Sequence, residues 1–279
     1  MLIYDMPASD YHAERRCSKS GLDKIAKSPS HYVSAIQSPS APTKAMRIGT
    51  ALHSLVLEGV APVVMPDFSR PKFTGKGATA RRAEWDAEHG DDELNWLIAH
   101  EGSNILSADE AEAVHAMAAH VAMHPIAGPA FARRDGKPEV SAMWQCPETG
   151  VLCKSRFDWL LPNVVVDLKT AADASADGFA RSVASYRYHV QDAFYSQAAA
   201  YCGHPVEHFL FVVVESAPPF NVAVYRLDDE ARDIGRRLYL RDLRTYKECE
   251  ASGIWPGYPT EIQELSLPKW TTYIGDSNE

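Results

Sequence analysis

The sequence predicts an α/β (α+β) fold with a central mixed β-sheet, flanking helices and a helical N-terminal region. Helix-type patterns dominate the first 130 residues, and strand-type alternation begins near Glu139. Helices and strands then follow each other to about residue 252, an order typical of a sheet covered by helices.

Helix start and stop signals recur in the first sixty residues. Ser18 is placed to cap a helix that continues through Ala26, and Ser28-Pro29 restarts another. The segment KAMRIGTALHSLVLEG predicts a third helix that ends at Gly59. Further along, SADE at 107–110 is a capping box that opens a helix stopping near residues 124–125.

Three strands are predicted after Glu139, in the segments EVSAMWQC, VLCKSRFDWLL and VVVDLKT. Residues 147–150 and Pro162-Asn163 form the turns between them. A helix over roughly 187–202, the strands EHFLFVVVES and NVAVYRLD, and a long helix over 229–252 complete the pattern.

No linker divides the chain, so we expect a single domain over 1–279. It comprises a helical part (1–130), a core (131–255) and a C-terminal tail (256–279).

Bulk composition is that of an ordinary globular protein, with 46% hydrophobic and 23% charged residues. No apolar run approaches the roughly 20 residues of a membrane span, and the N-terminus lacks a signal-type apolar segment, so we expect a cytoplasmic protein without a membrane partner.

The net charge of −9 argues only weakly against nucleic acid as a partner, because a groove that binds phosphates needs only local basicity. No cysteine pair forms CxxC, which disfavours zinc and iron–sulfur sites on Cys17, Cys146, Cys153, Cys202 and Cys249.

An unusual pair of acids flanks the predicted hairpin turn. Residues two apart share a strand face, so Asp167 and Lys169 point the same way. If Pro162-Asn163 is a two-residue turn, Asp158 faces Asp167 with Cβ atoms about 4.5–5.5 Å apart. Facing carboxylates repel each other unless a divalent cation lies between them. The alternative is a solvated hairpin whose exposed face carries these charges.

Four more polar residues stand at suggestive positions. Gln191 and Tyr195 are four apart and share a helix face. His53 lies on the third helix, and Glu139 begins the first strand of the sheet. Singly, the histidine and the glutamate are more typical of an ordinary core or surface position than of a functional one.

Together these residues resemble a known superfamily. Asp158, then Asp167-Leu168-Lys169, then Gln191-xxx-Tyr195 is similar to the PD-(D/E)XK nucleases, in their RecB-like branch. The segments SKSGLDKIAKSPSHYVSAIQ and RIGTALHSLVLEG resemble the exonuclease domain of RecE (exonuclease VIII) and its phage relatives. The resemblance spans about residues 10–250, and it departs from the family where Phe157 replaces the usual proline.

The resemblance implies a metal site. Asp158 and Asp167 would bind Mg²⁺, with Mn²⁺ as a substitute, and His53 would complete the shell. The Leu168 carbonyl is a further candidate ligand. Glu139 would hold a metal-bound water or a second ion.

It also implies roles in the reaction itself. Lys169 would position the attacking water and stabilise the charge that develops on the phosphate. Gln191 and Tyr195 would orient the phosphate backbone or Lys169.

The function implied is a Mg²⁺-dependent exodeoxyribonuclease acting on the ends of linear double-stranded DNA. Such relatives digest 5′ to 3′ and leave 3′ overhangs for a RecT-like single-strand annealing protein. They assemble as rings, for which we expect a tetramer rather than a trimer. The alternatives are a RecB-like DNA repair or CRISPR-associated nuclease, and a catalytically silent DNA-binding scaffold subunit.

Residues 68–90 are predicted to form a Gly-rich basic loop followed by a polar stretch. Gly75 and Gly77 favour mobility. The alternatives are a solvated surface loop and a DNA path, and we predict the second. The DNA-contacting residues would be Arg70, Lys72, Lys76, Arg81 and Arg82.

Overall fold

The computed structural model describes residues 1–38, 40–69 and 71–267. Eight strands are found in these residues. They are β1 (Leu2–Ile3), β2 (Val63–Val64), β3 (Ile105–Leu106), β4 (Lys137–Gln145), β5 (Leu152–Leu160), β6 (Val164–Ala171), β7 (His208–Glu215) and β8 (Val222–Tyr225).

The helices of the described residues lie before, between and after these strands. They are α1 (Ala8–Ala13), α2 (Lys19–Lys27), α3 (Pro29–Gln37), α4 (Lys44–His53), α5 (Ala78–His89), α6 (Asp92–Ala99), α7 (Ala108–Met123), α8 (Ala127–Phe131), α9 (Ala176–Ser185), α10 (Tyr188–Tyr201) and α11 (Asp229–Ser252). A π-helical turn, Ser54–Glu58, continues α4.

Six strands form one mixed sheet in the order β1-β4-β5-β6-β7-β8, which confirms the predicted fold class. All neighbouring strands are antiparallel except β6 and β7, which are parallel. Parallel strands need a crossover connection, and α9 with α10 provides it. β2 and β3 form a separate parallel pair.

Helices cover both faces of this sheet, and two hydrophobic clusters fill the spaces between. On one face Phe157 and Phe211 pack with Leu22 and Phe194 of α2 and α10. On the other face Leu168 belongs to the cluster formed with α4, α7 and the π-helical turn. Strand β6 contributes alternate residues to the two clusters, as the period of two requires.

The predicted caps are confirmed. The Ser18 hydroxyl accepts a hydrogen bond from the Gly21 amide, and Pro29 is the first residue of α3. Gly59, in the left-handed region at φ 69°, ends the π-helical turn. Both hydrogen bonds of the capping box that opens α7 are present. The last helix begins and ends where it was predicted.

Two local predictions were wrong. Residues 78–89 form α5 instead of continuing the basic loop, because Gly75 and Gly77 precede Ala78 and the segment ATARRAEWDAEH is rich in helix-forming residues. Helix α9 was missed, although Ser175 caps it by accepting a hydrogen bond from the Gly178 amide. Strands β1 to β3, α6 and the π-helical turn were also not predicted.

In the part of the chain that the structure describes, no helix is both long and apolar enough to cross a membrane. Part of the predicted C-terminal tail, residues 268–279, lies outside the described residues. The single-domain organisation stays a prediction.

The packing of α10 against α11 makes one glycine testable. A Cβ added at Gly235 would lie 2.0 Å from the His189 carbonyl oxygen and 3.2 Å from the Ala193 Cβ. We expect Gly235→Ala to lower the free energy of unfolding by about 1–3 kcal/mol, measured by urea denaturation, because the two backbones must separate.

The matched control is Gly49→Ala in α4, where the nearest neighbour of a new Cβ among the described residues would be the Thr170 Oγ1 atom at 3.9 Å. Helix propensity should make this variant more stable by up to about 1 kcal/mol. Equal losses in both variants would contradict this account of the helix contact.

Candidate active site

Strands β5 and β6 pair only next to their turn, through Trp159 with Val166 and Leu160 with Val165. The Leu161 amide donates to the Val164 carbonyl at 2.8 Å and closes the turn. This is the predicted register, and its continuation places residues 158 and 167 opposite each other. Beyond that point the strands diverge. We call the place where they separate the fork.

Side chains satisfy the backbone groups that the fork leaves without a ladder partner. The Leu168 amide donates to Asp158 Oδ2 at 2.8 Å, and the Leu168 carbonyl accepts from His53 Nε2 at 2.8 Å. Buried backbone groups need hydrogen-bond partners, so both side chains stabilise the sheet where the β5–β6 pairing ends. The fork therefore fixes Asp158 and His53 on either side of one residue of β6.

The β4–β5 register brings in a third acid. Pro138 pairs with Trp159 and Val140 with Phe157, so Glu139 lies opposite Asp158. Glu139 adopts a left-handed conformation with φ 49°, which is uncommon for a residue with a side chain. Such strain concentrates at functional sites. Glu139, Asp158 and Asp167 thus form one acidic row across three neighbouring strands.

Part of this row can hold a cation. Among the described residues, His53, Glu139 and Asp158 form the one group of three or more potential metal-ligating side chains whose ligand atoms all lie within 4.8 Å of one another. His53 Nε2 and the Leu168 carbonyl oxygen are 2.8 Å apart. Neighbouring ligands of an octahedral ion bound at 2.0–2.1 Å are separated by about 3 Å, so with the imidazole proton on Nδ1 the two atoms are suitably spaced to bind one cation.

Asp167 lies behind this group and is 1% exposed. Its carboxylate forms an ion pair with Lys169 and accepts a hydrogen bond from Gln191 Nε2. A solvated hairpin is excluded, because both ion-paired groups are largely buried. The predicted metal role of Asp167 stays a prediction, since the contacts described for its oxygens are with Lys169 and Gln191.

The two helix residues of the predicted motif occupy different surroundings. Gln191 donates a hydrogen bond to Asp167, the ion-pair partner of Lys169. Tyr195 packs edge-on against Phe157, with ring centroids 5.8 Å apart. Burial raises the pKa of the Tyr195 phenol well above its usual value, with further contributions from neighbours including Asp167, so the ring stays neutral beneath the site.

Sequence reasoning missed Arg156. Its Nη1 lies 3.7 Å from Glu139 Oε2, and its guanidinium carbon is 4.6 Å from the centroid of the Tyr11 ring. A cleft of about 580 Å³, which we call the arginine cleft, opens here and is lined by residues that include Tyr11, His12, Thr50, His53, Glu139 and Arg156. The alternation of Lys154, Arg156 and Asp158 along β5 was the available signal.

Tyr188 was also missed, and its ring lies beside the lysine. Lys169 Nζ is 5.2 Å from the Tyr188 ring centroid, a distance typical of a cation–π contact. The motif spacing pointed to Tyr195 instead, because Tyr188 begins α10 and precedes Gln191.

The basic segment is built differently from the prediction. Arg70 lies outside the described residues, and Lys72 and Lys76 are exposed ahead of α5. Arg81 and Arg82 are on α5, and the Arg81 guanidinium donates to the Thr74 and Lys76 carbonyls. Arg81 therefore stabilises the local chain, and DNA contact by this segment stays a prediction.

Residues 18–267 match the family described as a PDDEXK-like domain of unknown function (DUF3799). The chain belongs to this family. The expected membership of the PD-(D/E)XK superfamily is confirmed at this level.

One solved structure has a similar fold. The crystal structure of a "putative exonuclease" from Eubacterium rectale aligns with a TM-score of 0.58 and 13% identity over 98% of this chain and 100% of that chain. The structure of SSO0001 aligns with a TM-score of 0.29 and 16% identity over 69% of this chain and 83% of that chain, which supports no argument. Among curated proteins, none matches the chain in sequence.

The electrostatics of the acidic row favour protonated acids in the absence of a cation. Burial and then the neighbouring Asp158 charge raise the pKa of Glu139 to about 7. Burial also raises the pKa of Asp167 to about 6, although Lys169 opposes the shift. Burial acts to lower the pKa of Lys169, but the Asp167 and Asp158 carboxylates outweigh it and the net shift is upward. The lysine therefore stays charged.

These shifts predict the pH dependence of stability. A carboxyl group whose pKa is higher in the folded than in the unfolded state stabilises the fold at low pH, and this contribution is lost as pH rises through the folded value. Without metal, the contribution of Glu139 should fall by roughly 1–3 kcal/mol between pH 4.5 and 7.5.

The measurement is urea denaturation in EDTA across this pH range, comparing the wild type with Glu139→Gln. The variant should show the smaller loss, because its amide does not titrate. Added Mg²⁺ or Mn²⁺ should stabilise the wild type most at the high end of the range, since ligands bind metal deprotonated. Identical pH profiles for the two proteins would contradict the predicted shift of Glu139.

Proposed function

We propose that this protein is a divalent-metal-dependent nuclease that hydrolyses phosphodiester bonds at the ends of linear double-stranded DNA. The observation that carries the proposal is the acidic row at the fork, with Lys169 held beside it. Membership of the PDDEXK-like family supports the same reaction class.

Glu139, Asp158 and His53 would hold the cation, with the Leu168 carbonyl as a further ligand. Three of these four donors are oxygen atoms, which suits Mg²⁺, and the imidazole makes Mn²⁺ a natural substitute. When bound, the cation supplies positive charge at the phosphate and lowers the pKa of a nearby water.

Lys169 acts as a fixed positive charge. Its raised pKa keeps the ammonium group protonated, so it cannot accept a proton from water at neutral pH. It can donate hydrogen bonds to the attacking water and to a phosphate oxygen as negative charge accumulates. Asp167 positions the ammonium group and Gln191 positions Asp167, so these two residues act through the lysine.

Arg156 supplies a second cation next to the row. Its Nη2 donates to the Met6 carbonyl at 2.6 Å and its Nε donates to the Ser141 hydroxyl at 3.1 Å, which holds the guanidinium in place. Nη1 is directed toward Glu139 in the arginine cleft. A planar, permanently charged guanidinium suits a phosphate oxygen, and we assign Arg156 that role.

The finer assignment is to the RecE type. The SPSHY segment forms the start of α3, and GTALH forms the end of α4 and supplies His53. The resemblance of these segments supports 5′-to-3′ digestion, 3′ overhangs, a RecT-like annealing partner and a ring-shaped assembly, with a tetramer favoured over a trimer. The name of the Eubacterium rectale protein, "putative exonuclease", is consistent with exonuclease action.

The proposal is tested by timed digestion of a linear duplex labelled at its 5′ or its 3′ end, with a covalently closed circular duplex as control. An exonuclease of the proposed polarity releases the 5′ label early, retains the 3′ label and leaves the circle intact, in Mg²⁺ but not in EDTA. Cutting of the circle would contradict exonuclease action. No cleavage in Mg²⁺ or Mn²⁺ would instead support a silent scaffold subunit.

Two substitutions test the roles in the reaction. Asp158→Asn keeps an acceptor for the Leu168 amide but removes the charge, and should lower kcat by about 10²-fold or more. Lys169→Gln should lower kcat by about 10²–10³-fold while DNA affinity changes little, because the lysine acts mainly as charge develops.

The matched control is Lys247→Gln, a change at an exposed lysine on α11. It should cleave at the wild-type rate. Near wild-type turnover by Asp158→Asn would contradict the site, and a Lys169→Gln defect confined to affinity would make Lys169 an ordinary phosphate contact.

A salt series tests the basic segment. Lys76→Ala/Arg82→Ala removes two exposed charges and leaves the structural Arg81 in place. We expect weaker binding to duplex DNA and a log–log salt slope that is shallower by about 1.8, since each phosphate contact contributes about 0.9. The control Arg237→Ala/Lys247→Ala removes two charges from α11. An equal change of slope in both variants would contradict DNA contact by the basic segment and would support a solvated surface element.

A further inference from the structure

A second cleft of about 710 Å³ lies at the end of β6. We call it the tyrosine cleft. Its walls are the start of α4, the end of β6 and α9, and its lining includes Lys44, Thr170, Arg181, Ser182, Tyr186 and Tyr188. The cleft adjoins the fork, because Thr170 follows Lys169 in β6 and the Tyr188 ring lies next to the lysine.

An exposed aromatic ring stands in this cleft. Tyr186 is 61% exposed, although it immediately follows a helix that packs on the core. Its ring centroid is 5.6 Å from that of Tyr188, with an interplanar angle of 31°. Lys19 Nζ donates to the Tyr186 carbonyl at 2.6 Å and fixes the backbone. One face of a positioned ring is therefore available to a ligand.

The cleft also offers positive charge that a ligand can use. Lys44 lies 3.4 Å from Glu110, and Arg181 lies 3.4 Å from Asp173, but the two cationic side chains are 70% and 73% exposed. Asp173 is also half exposed, and Glu110 keeps Arg47 as a partner when Lys44 moves away, so a phosphate can compete for both cations. Hydroxyl groups of Thr170 and Ser182 line the wall between them.

We propose that the tyrosine cleft binds one unpaired nucleic-acid strand, with a base stacked on Tyr186 and the backbone along Lys44 and Arg181. The inference rests on the proposed function and names the form in which its substrate reaches Lys169. A ring can stack only on a base whose face is free, and within a duplex neighbouring base pairs cover those faces. Base stacking on an aromatic side chain is also tolerant of sequence, as an end-degrading enzyme requires.

The experiment measures binding of a fluorescent single-stranded DNA oligonucleotide to the full chain in EDTA, so that no cleavage is needed. Tyr186→Ala should weaken affinity by about 5- to 150-fold, the range for loss of one stacked base. Tyr186→Phe keeps the ring and should bind within about twofold of the wild type. Tyr258→Ala removes another exposed tyrosine, 65% exposed and remote in sequence, and should have no effect.

A second readout places 2-aminopurine at successive positions of the oligonucleotide. Stacking quenches its fluorescence, so one position should be quenched by the wild type and by Tyr186→Phe but not by Tyr186→Ala. Fully paired duplex of the same length, without a single-stranded end, should bind Tyr186→Ala and wild type alike. Thermal unfolding of the variants should match that of the wild type, because the Tyr186 ring is exposed.

The cleft inference is overturned if Tyr186→Ala binds the single strand as tightly as the wild type, or if Tyr186→Phe fails as badly as Tyr186→Ala. It is also overturned if the wild type does not bind the strand. A wild type that cleaves no DNA in Mg²⁺ or Mn²⁺, yet loses strand binding in Tyr186→Ala, would overturn the proposed nuclease and leave the cleft standing.

Discussion

The separation of β5 from β6 after two residue pairs is the constraint on which the site depends. A continued ladder would occupy the amide and carbonyl of Leu168 and leave no room for a cation. Because the ladder stops, Asp158 and His53 bind those two groups instead. These two hydrogen bonds therefore hold the Asp158 carboxylate and the His53 imidazole close together. Glu139, on the neighbouring strand, completes the group of metal-ligating side chains.

The buried ion pair of Asp167 and Lys169 follows from the fork. Removing two charges from water costs free energy, and their attraction offsets this only with good geometry and further hydrogen bonds. Gln191 supplies such a bond to Asp167. The arrangement keeps a positive charge close to the acidic row at neutral pH. Removal of only one of the two side chains would leave an unpaired buried charge. It should therefore lower the free energy of unfolding more than removal of both.

Helix α4 connects the site to its surroundings. Its start lines the tyrosine cleft, and its end, with the π-helical turn, lines the arginine cleft. Gly49 of this helix lies close to Thr170 of β6, and His53 at the helix end contacts the Leu168 carbonyl at the fork. A strand of nucleic acid lying across both clefts would pass the acidic row and Lys169, with cationic side chains on either side.

The sequence by itself determined the local elements and one long-range relation. Caps and period-two alternation are local, so the starts of α2, α3, α4, α7 and α11 and the strands β4 to β8 were predicted. The two-residue turn gave the Asp158–Asp167 register. Tertiary structure decided the rest. Glu139 reached the metal-ligand group through the β4–β5 pairing, and Tyr188 reached Lys169 through the crossover between β6 and β7. Neither contact leaves a periodic pattern in the sequence. Each depends on how elements distant in the chain pack together, and not on the residues adjacent to Glu139 or Tyr188.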